Sequence, residues 1–258
     1  MSAPLAYITG ASSGIGQALA VRDRQAGYRL ALVARRGAEL QAWADAQGFD
    51  AAGCAVYAAD VRDVAAITAA GRACIAAQGV PDVVIANAGI SAGVDTSVYG
   101  DLAVMRATFE TNNLGMAATF QPFIAPMVVR RSGRLVGMAS VAGIRGLPGH
   151  GAYCASKAAV ISYCESLRGE LRSSGVRVVT IGPGYVDTPL TQKNPYSMPF
   201  LMQPAAFAER AFAAIERGVG YRVIPWQMGV VAKLMRALPD PVFDKLFAGR
   251  ARKPRRSD

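Results

Sequence analysis

L-A-Y-I-T-G-A-S-S-G-I-G, residues 5–16, decides the fold. A short apolar run ends in a glycine-rich turn. A helical pattern follows, with Ile15, Leu19 and Ala20 on one side and Arg22 and Arg24 on the more exposed side. Strand, glycine turn and helix, in that order, are what a phosphate-binding loop requires. Glycine lets the backbone approach a pyrophosphate, and the helix N-terminus supplies free N–H groups and a favourable dipole. The spacing is G-x-x-x-G-x-G rather than the general G-x-G-x-x-G. It points to Gly10, Ser12, Ser13, Gly14, Ile15 and Gly16 as the cradle of a dinucleotide.

Outward from this turn, strands and helices alternate. Residues 28–34 read as a second strand, followed by Arg35 and Arg36 where an NAD site would carry an acid for the ribose 2′-hydroxyl. Two guanidinium groups and no acid suit a 2′-phosphate, so NADP(H) is expected in preference to NAD(H). Residues 51–59 read as a third strand ending at Asp60-Val61, where the acid could meet an adenine amino group. Residues 80–86 read as a fourth, ending in Asn87-Ala88-Gly89. Residues 101–131 form a long helical region whose later part Pro122 and Pro126 should bend or break. Strands at 134–139 and 176–181 flank a helix at 152–173, and a last strand lies at 221–225. Alternation at this pitch implies an α/β protein with a doubly wound parallel sheet.

The stretch from Ser140 to Lys157 reads S-V-A-G-I-R-G-L-P-G-H-G-A-Y-C-A-S-K. Tyr153 and Lys157 are four apart, one turn along the same helical face. An ammonium near a phenol favours the phenolate, which would make Tyr153 a proton donor or acceptor at a reacting oxygen. Ser140, at the end of an apolar run, could present its hydroxyl to that same oxygen.

Composition limits the alternatives. The chain of 258 residues is 52% apolar and 18% charged, which describes a globular protein. No apolar run reaches the roughly 18–20 residues needed to span a bilayer. The N-terminal residues carry no basic stretch and run directly into a strand pattern, so no signal peptide is expected. Cys54, Cys74, Cys154 and Cys164 have no C-x-x-C spacing and His150 is the only histidine. A zinc site or disulfide framework is therefore not expected, and the thiols read as reduced in a cytoplasmic protein. The net charge of +10 is concentrated in residues 217–258, which carry ten Lys/Arg against three Asp. No aromatic or groove-reading element accompanies them, so nucleic acid is not an expected partner.

Taken together the chain resembles the classical short-chain dehydrogenase/reductase family. The matching residues are T-G-A-S-S-G-I-G from Thr9, Asp60-Val61, Asn87-Ala88-Gly89, Asn112 with Gly115, Ser140, Tyr153 with Lys157, and P-G-x-V-x-T from Pro183 to Thr188. The resemblance covers about residues 5–190 and implies a Rossmann-type sheet and hydride transfer with a nicotinamide cofactor. It implies Tyr153 as general acid/base and Ser140 as the group polarising the substrate oxygen. Lys157 would hold the nicotinamide ribose and lower the tyrosine pKa, and Asn112 would position a relay water. Asn87, Ala88 and Gly89 would line the cofactor with Pro183, Gly184 and Val186, and Thr188 would meet the carboxamide. Met138-Ala139 departs from the family, which often has a small polar residue beside the serine.

Residues 189–204, rich in Pro, Met and aromatics, read as an apolar lid over the substrate or as helices packing on the core. Residues 226–238 place Val230, Val231, Leu234, Met235 and Leu238 on one helical face, with Lys233 and Arg236 opposite. Residues 240–248 repeat the pattern with Val242, Phe243, Leu246 and Phe247, before R-A-R-K-P-R-R. A dimer contact, a pocket cover and a peripheral membrane element at 226–256 compete for this segment. Trp226, Phe243 and Phe247 favour packed anchors. The expected organisation is a single catalytic domain at 1–225 with a C-terminal helical extension at 226–258, assembled as a homodimer or homotetramer. The expected function is NADP-dependent interconversion of a carbonyl and a secondary alcohol on a small apolar substrate. A 3-oxoacyl thioester reductase and a non-catalytic redox sensor or scaffold are the alternatives.

Overall fold

A computed structural model describes residues 3–249 and 252–255. Seven parallel strands form one sheet: β1 (Leu5–Thr9), β2 (Arg29–Ala34), β3 (Cys54–Ala58), β4 (Val83–Ala86), β5 (Gly133–Met138), β6 (Val176–Pro183) and β7 (Tyr221–Ile224). Their order is β3-β2-β1-β4-β5-β6-β7, so the winding direction reverses between β1 and β4. In such a sheet the crevice outside the strands' carboxyl ends at that reversal receives the ligand. Gly10 and Asn87 follow directly from those two strands.

β1, β2 and β4 read as near-continuous apolar runs because both faces of the sheet are covered there, while the edge strand β7 keeps Tyr221 and Arg222 exposed. In β1, Ala6 and Ile8 enter one core cluster, while Leu5 and Tyr7 enter the other. The first cluster holds Leu19 and Ala20 of α1 (Gly14–Gln25), Leu40 of α2 (Gly37–Ala46), and Phe207 and Ala211 from residues 204–216. The second packs Ile67 of α3 (Val64–Gln78) against Phe120 and Phe123, with Tyr7 and Phe123 ring centroids 4.7 Å apart. Each such buried apolar side chain contributes about 1.5–3 kcal/mol.

The helical region after β4 differs from the expectation in where it is irregular. α4 (Asp101–Phe109) passes into a π-helical turn at Glu110–Leu114, and α5 (Gly115–Arg130) then runs unbroken through Pro122 and Pro126. The prolines are tolerated in α5, and the irregularity sits instead at the turn carrying Asn112. After β5, a 3₁₀ turn at Val141–Gly143 leads to α6 (Gly151–Glu170), and α7 (Pro204–Glu216) follows β6. Residues 189–203 form turns and a bridge between Val186 and Met202 rather than a helix pair.

At the C-terminus, α8 (Trp226–Ala237) and α9 (Asp240–Phe247) correct the expected apolar face. The buried residues of α8 are Met228, Gly229 and Ala232, while Trp226 is 65% exposed and Val230 and Leu234 also face solvent. Small residues let α8 lie close to the sheet edge, so its bulkier residues turn outward. In α9, Phe243 is buried and stacks on Phe247, as expected of anchors.

Arg145, in the loop after Ser140, fastens these helices. Its guanidinium donates to the Met235 and Leu238 carbonyls at the end of α8, pairs with Asp240 at 2.8 Å and lies over the Phe243 ring. Carbonyls at a helix C-terminus lack intrahelical donors, and a cation there satisfies both hydrogen bonding and the dipole. Residues 252–255 return across the molecule, where Gly93 and Arg255 bridge. Arg250, Ala251 and Arg256 of the basic run lie outside the described residues. No helix among the described residues is long and apolar enough to cross a membrane.

Candidate active site

The glycine turn sits at the β1 end of the crevice. Gly10 and Gly14 have φ of 66° and 55°, a left-handed conformation open to glycine at no steric cost. Gly16 begins the tight pack beneath the turn. A Cβ there would press into the Gly10 carbonyl oxygen and lie 2.8 Å from Asn87 Nδ2. Ser13 caps α1 in extended geometry without a side-chain cap bond, so the side chain leaves the first-turn N–H groups to a ligand. Ser12 and Ile15 are partly buried beside it.

Asn87 and Ala88 lock the ends of β4 and β1 together. Asn87 Nδ2 donates to the Thr9 and Gly10 carbonyls at 3.0 and 3.2 Å, and Thr9 Oγ1 accepts from the Asn87 and Ala88 N–H groups. On the other side, Thr188 lies against Gly14, its Cγ2 3.0 Å from where a Cβ would be. The Thr188 hydroxyl is engaged with Thr191, 3.2 Å away, and Thr191 Oγ1 also donates to the Val186 carbonyl. Gly184 N–H donates to Ile224 O, which ties the Pro183–Gly184 end of β6 to β7.

Arg35 and Arg36 are exposed at the end of β2. Arg36 pairs with Glu39 at 2.8 Å, whereas Arg35 has no ion pair among the described residues. Asp60 is held by Arg62, which donates through both its side chain and its N–H, and this keeps the Asp60 carboxyl below its ordinary range. Val61 beside it is buried.

Ser140, Tyr153 and Lys157 come together at the end of β5. Ser140 caps the 3₁₀ turn, accepting from Ala142 N–H at 3.2 Å. Lys157 is buried and donates to the Met138 carbonyl at 2.7 Å, with its Nζ 5.8 Å from the centre of the Tyr153 ring. Burial raises the Tyr153 pKa, and the adjacent Ser140 side chain, acting as a hydrogen-bond partner, opposes the rise. In the chain alone the phenol is thus held above its ordinary value, not lowered by Lys157. The lysine instead bears the cost of its own burial, which pushes its pKa down to about 8.

That shift has a consequence for stability. The ammonium of an unfolded lysine titrates near about 10.4, so Lys157 weakens the fold fully below about pH 8. The penalty fades as the pH rises from there to the unfolded value. Relative to Lys157→Met, the protein without nucleotide should gain about 3 kcal/mol between about pH 7.5 and 10.5. Urea denaturation of both proteins across that range measures the difference. A constant difference would show that Lys157 is not electrostatically strained.

Asn112 is buried, and its amide is a strut. Its Oδ1 accepts from Ile90 N–H at 2.8 Å, and its Nδ2 donates to Ile90 O and to Ser156 Oγ. Ser156 Oγ in turn donates to Tyr153 O. Asn113 instead donates to the Ser156 carbonyl. A Cβ on Gly89 would lie 3.3 Å from Asn112 Oδ1 and 3.4 Å from Lys157 Nζ, so these groups surround one floor. Thr9 and Ser156 are positioning groups that sequence reasoning passed over. Both lay inside quoted motifs, and a small hydroxyl residue at a strand end or between Tyr153 and Lys157 was their only signal.

His150 stands at the start of α6, three residues before Tyr153. Its Nδ1 lies 3.2 Å from Pro148 O, an obligate acceptor, so Nδ1 carries the proton and Nε2 accepts from the Tyr196 hydroxyl at 3.1 Å. The Tyr185 and Tyr196 ring centroids are 6.4 Å apart.

The geometry fits a dinucleotide: a glycine-rich turn, a helix N-terminus and a buried ammonium line one crevice. Fold and site together define a nucleotide-dependent oxidoreductase. A model of the short chain dehydrogenase family matches residues 4–198. The chain is 41% identical over 246 residues to an uncharacterized oxidoreductase of Myxococcus xanthus, covering 95% of this chain and 96% of the relative. It is 38% identical over 200 residues to estradiol 17-beta-dehydrogenase 1 of Rattus norvegicus, covering 75% of this chain and 57% of that one. A solved short-chain dehydrogenase from Streptomyces avermitilis superposes with a TM-score of 0.79 at 25% identity, covering 95% and 96% of the two chains. The chain belongs to the short-chain dehydrogenase family of NAD(P)-dependent oxidoreductases.

Proposed function

We propose that the protein interconverts a ketone and a secondary alcohol on an apolar substrate, with NADP(H) preferred over NAD(H). The observation that carries this is the grouping of Ser140, Tyr153 and Lys157, with the Lys157 ammonium beside Gly89. When bound, the nicotinamide supplies or accepts the hydride. Tyr153 Oη gives a proton to the carbonyl oxygen as it gains negative charge, or takes one from the alcohol in reverse. The Ser140 hydroxyl donates to the same oxygen and stabilises the developing charge. Lys157 presents a buried cation to the ribose side, and Asn112 fixes the Ile90 loop that borders it. The raised phenol pKa suits reduction at neutral pH, where Tyr153 is protonated and ready to donate.

Apolar substrate character is supported by the steroid named for the rat relative. Screening the purified protein with NADPH against ketones, aldehydes and acyl thioesters tests the reaction class. Nucleotide binding without turnover on any of them would favour a scaffold.

Cofactor preference rests on Arg35, which is exposed at the end of β2 and outside any ion pair among the described residues. NADPH should bind more tightly than NADH, and Arg35→Ala should weaken NADPH roughly ten- to a hundredfold while leaving NADH nearly unchanged. Fluorescence titration with both nucleotides reads this directly. Equal affinities in the parent protein would remove the preference.

A further inference from the structure

The C-terminal strap, residues 252–255, is laid over the mouth of the crevice. Pro254 O accepts from Gly93 N–H at 3.0 Å, and Arg255 forms a two-pronged ion pair with the buried Asp101 at 2.8 and 2.9 Å. Gly93 has no room for a side chain: a Cβ would press into Lys253 O and lie 2.8 Å from Pro254 O. The strap is therefore docked against a surface shaped for it.

Docking carries Lys253 inward. The residue is 9% exposed, and Nζ donates to Ser91 Oγ and Leu190 O, each at 3.1 Å. Ser91 is two residues beyond Gly89, and Leu190 two residues beyond Thr188, so the ammonium bridges the two loops bordering the crevice. Its charge reaches His150, which burial already holds below its ordinary value, and His150 is bonded to Tyr196.

Both protein partners of Lys253 are neutral, and one N–H of the ammonium has no acceptor among the described residues. No carboxylate among them lies within ion-pair distance, in contrast to Arg255 two residues on. A buried cation without a counter-ion is costly, and the cost is recovered when an anion enters beside it. One ammonium next to one hydroxyl matches a singly charged carboxylate.

We propose that Lys253 is a specificity residue that receives a carboxylate at the end of an otherwise apolar substrate. The substrate class is then a keto acid or hydroxy acid, with the reacting carbon at Tyr153 and the acid under the strap. The assignment deepens the reading under Proposed function and rests on it for the position of the reacting carbon.

The test is calorimetric binding of decanoate and decan-1-ol to the full chain with saturating NADP⁺. Decanoate should bind roughly ten- to a hundredfold more tightly than the alcohol. Lys253→Met should reduce that ratio to about one, and Lys253→Arg should keep part of it. Gly93→Ala, which retains the lysine but displaces the strap, should also lose the ratio. Equal binding of the two probes by the parent, absent decanoate binding, or a ratio unchanged in Lys253→Met would overturn the assignment. Binding needs no turnover, so the outcomes separate. Preference for decanoate without ketone reduction would leave Lys253 in place and remove the reductase reading, whereas neutral-ketone reduction with equal binding would do the reverse.

Discussion

Tyr153→Phe should keep nucleotide binding and lose turnover by about 10²–10⁴-fold, the range associated with a positioned acid–base group. The substitution removes one oxygen and leaves the ring, whose face lies 5.8 Å from Lys157 Nζ. Ser140 keeps its bond from Ala142 N–H, and the main-chain Tyr153 carbonyl still accepts from Ser156. His150 is poorly placed to take over the proton: it is buried, its Nδ1–H points at Pro148 O, and its Nε2 faces Tyr196. Burial raises the phenol pKa, so the parent's alcohol oxidation should climb with pH as the base form appears, while ketone reduction falls. Steady-state rates in both directions, with nucleotide affinity measured separately, decide the matter. Retention of near-normal turnover in Tyr153→Phe would place the proton transfer elsewhere.

Gly16→Ala should abolish useful nucleotide affinity, with a loss exceeding about a hundredfold. The added methyl has no accessible space, since the Gly10 carbonyl and Asn87 Nδ2 already occupy it. Relief would require moving the carbonyl, which Asn87 also holds by a hydrogen bond. Overpacking of this kind costs about 1–3 kcal/mol on its own, and the loss in affinity is larger because the displaced backbone belongs to the proposed phosphate cradle. The sheet lies beyond the turn, so circular dichroism should stay that of the parent while NADPH titration fails. Normal NADPH binding by the Gly16→Ala protein would show that the turn adapts.

Much of this was legible because the informative features are local. A strand buried on both faces announces itself as an apolar run, as β1, β2 and β4 do, whereas the edge strand β7 keeps Tyr221 and Arg222 exposed. The glycine turn and the Tyr153/Lys157 spacing were equally readable, since each depends on geometry within a few residues. Features set by distant partners were not. The helix before β5 bulges at Glu110–Leu114, away from its prolines, because Asn112 is drawn to Ile90 and Ser156. The outward face of α8 could not be read from periodicity, which finds an apolar stripe but not the small residues that allow close approach. The sequence left a dimer contact, a pocket cover and a membrane element open for the basic tail, because the partners of Lys253 and Arg255, Ser91 and Asp101, lie more than 150 residues earlier in the chain. Lys157 likewise gave no sign that burial would weaken its hold on a proton.

The Arg145 clasp also sets an order of events during synthesis. The acceptors of its guanidinium emerge 90 to 95 residues after Arg145 itself. By then β1 to β6 and the glycine turn have all left the ribosome, but a domain of this kind folds as a unit. The loop after Ser140 is therefore fastened only once α8 and α9 have been translated, and a chain cut ahead of Met235 would leave the Arg145 guanidinium without these acceptors.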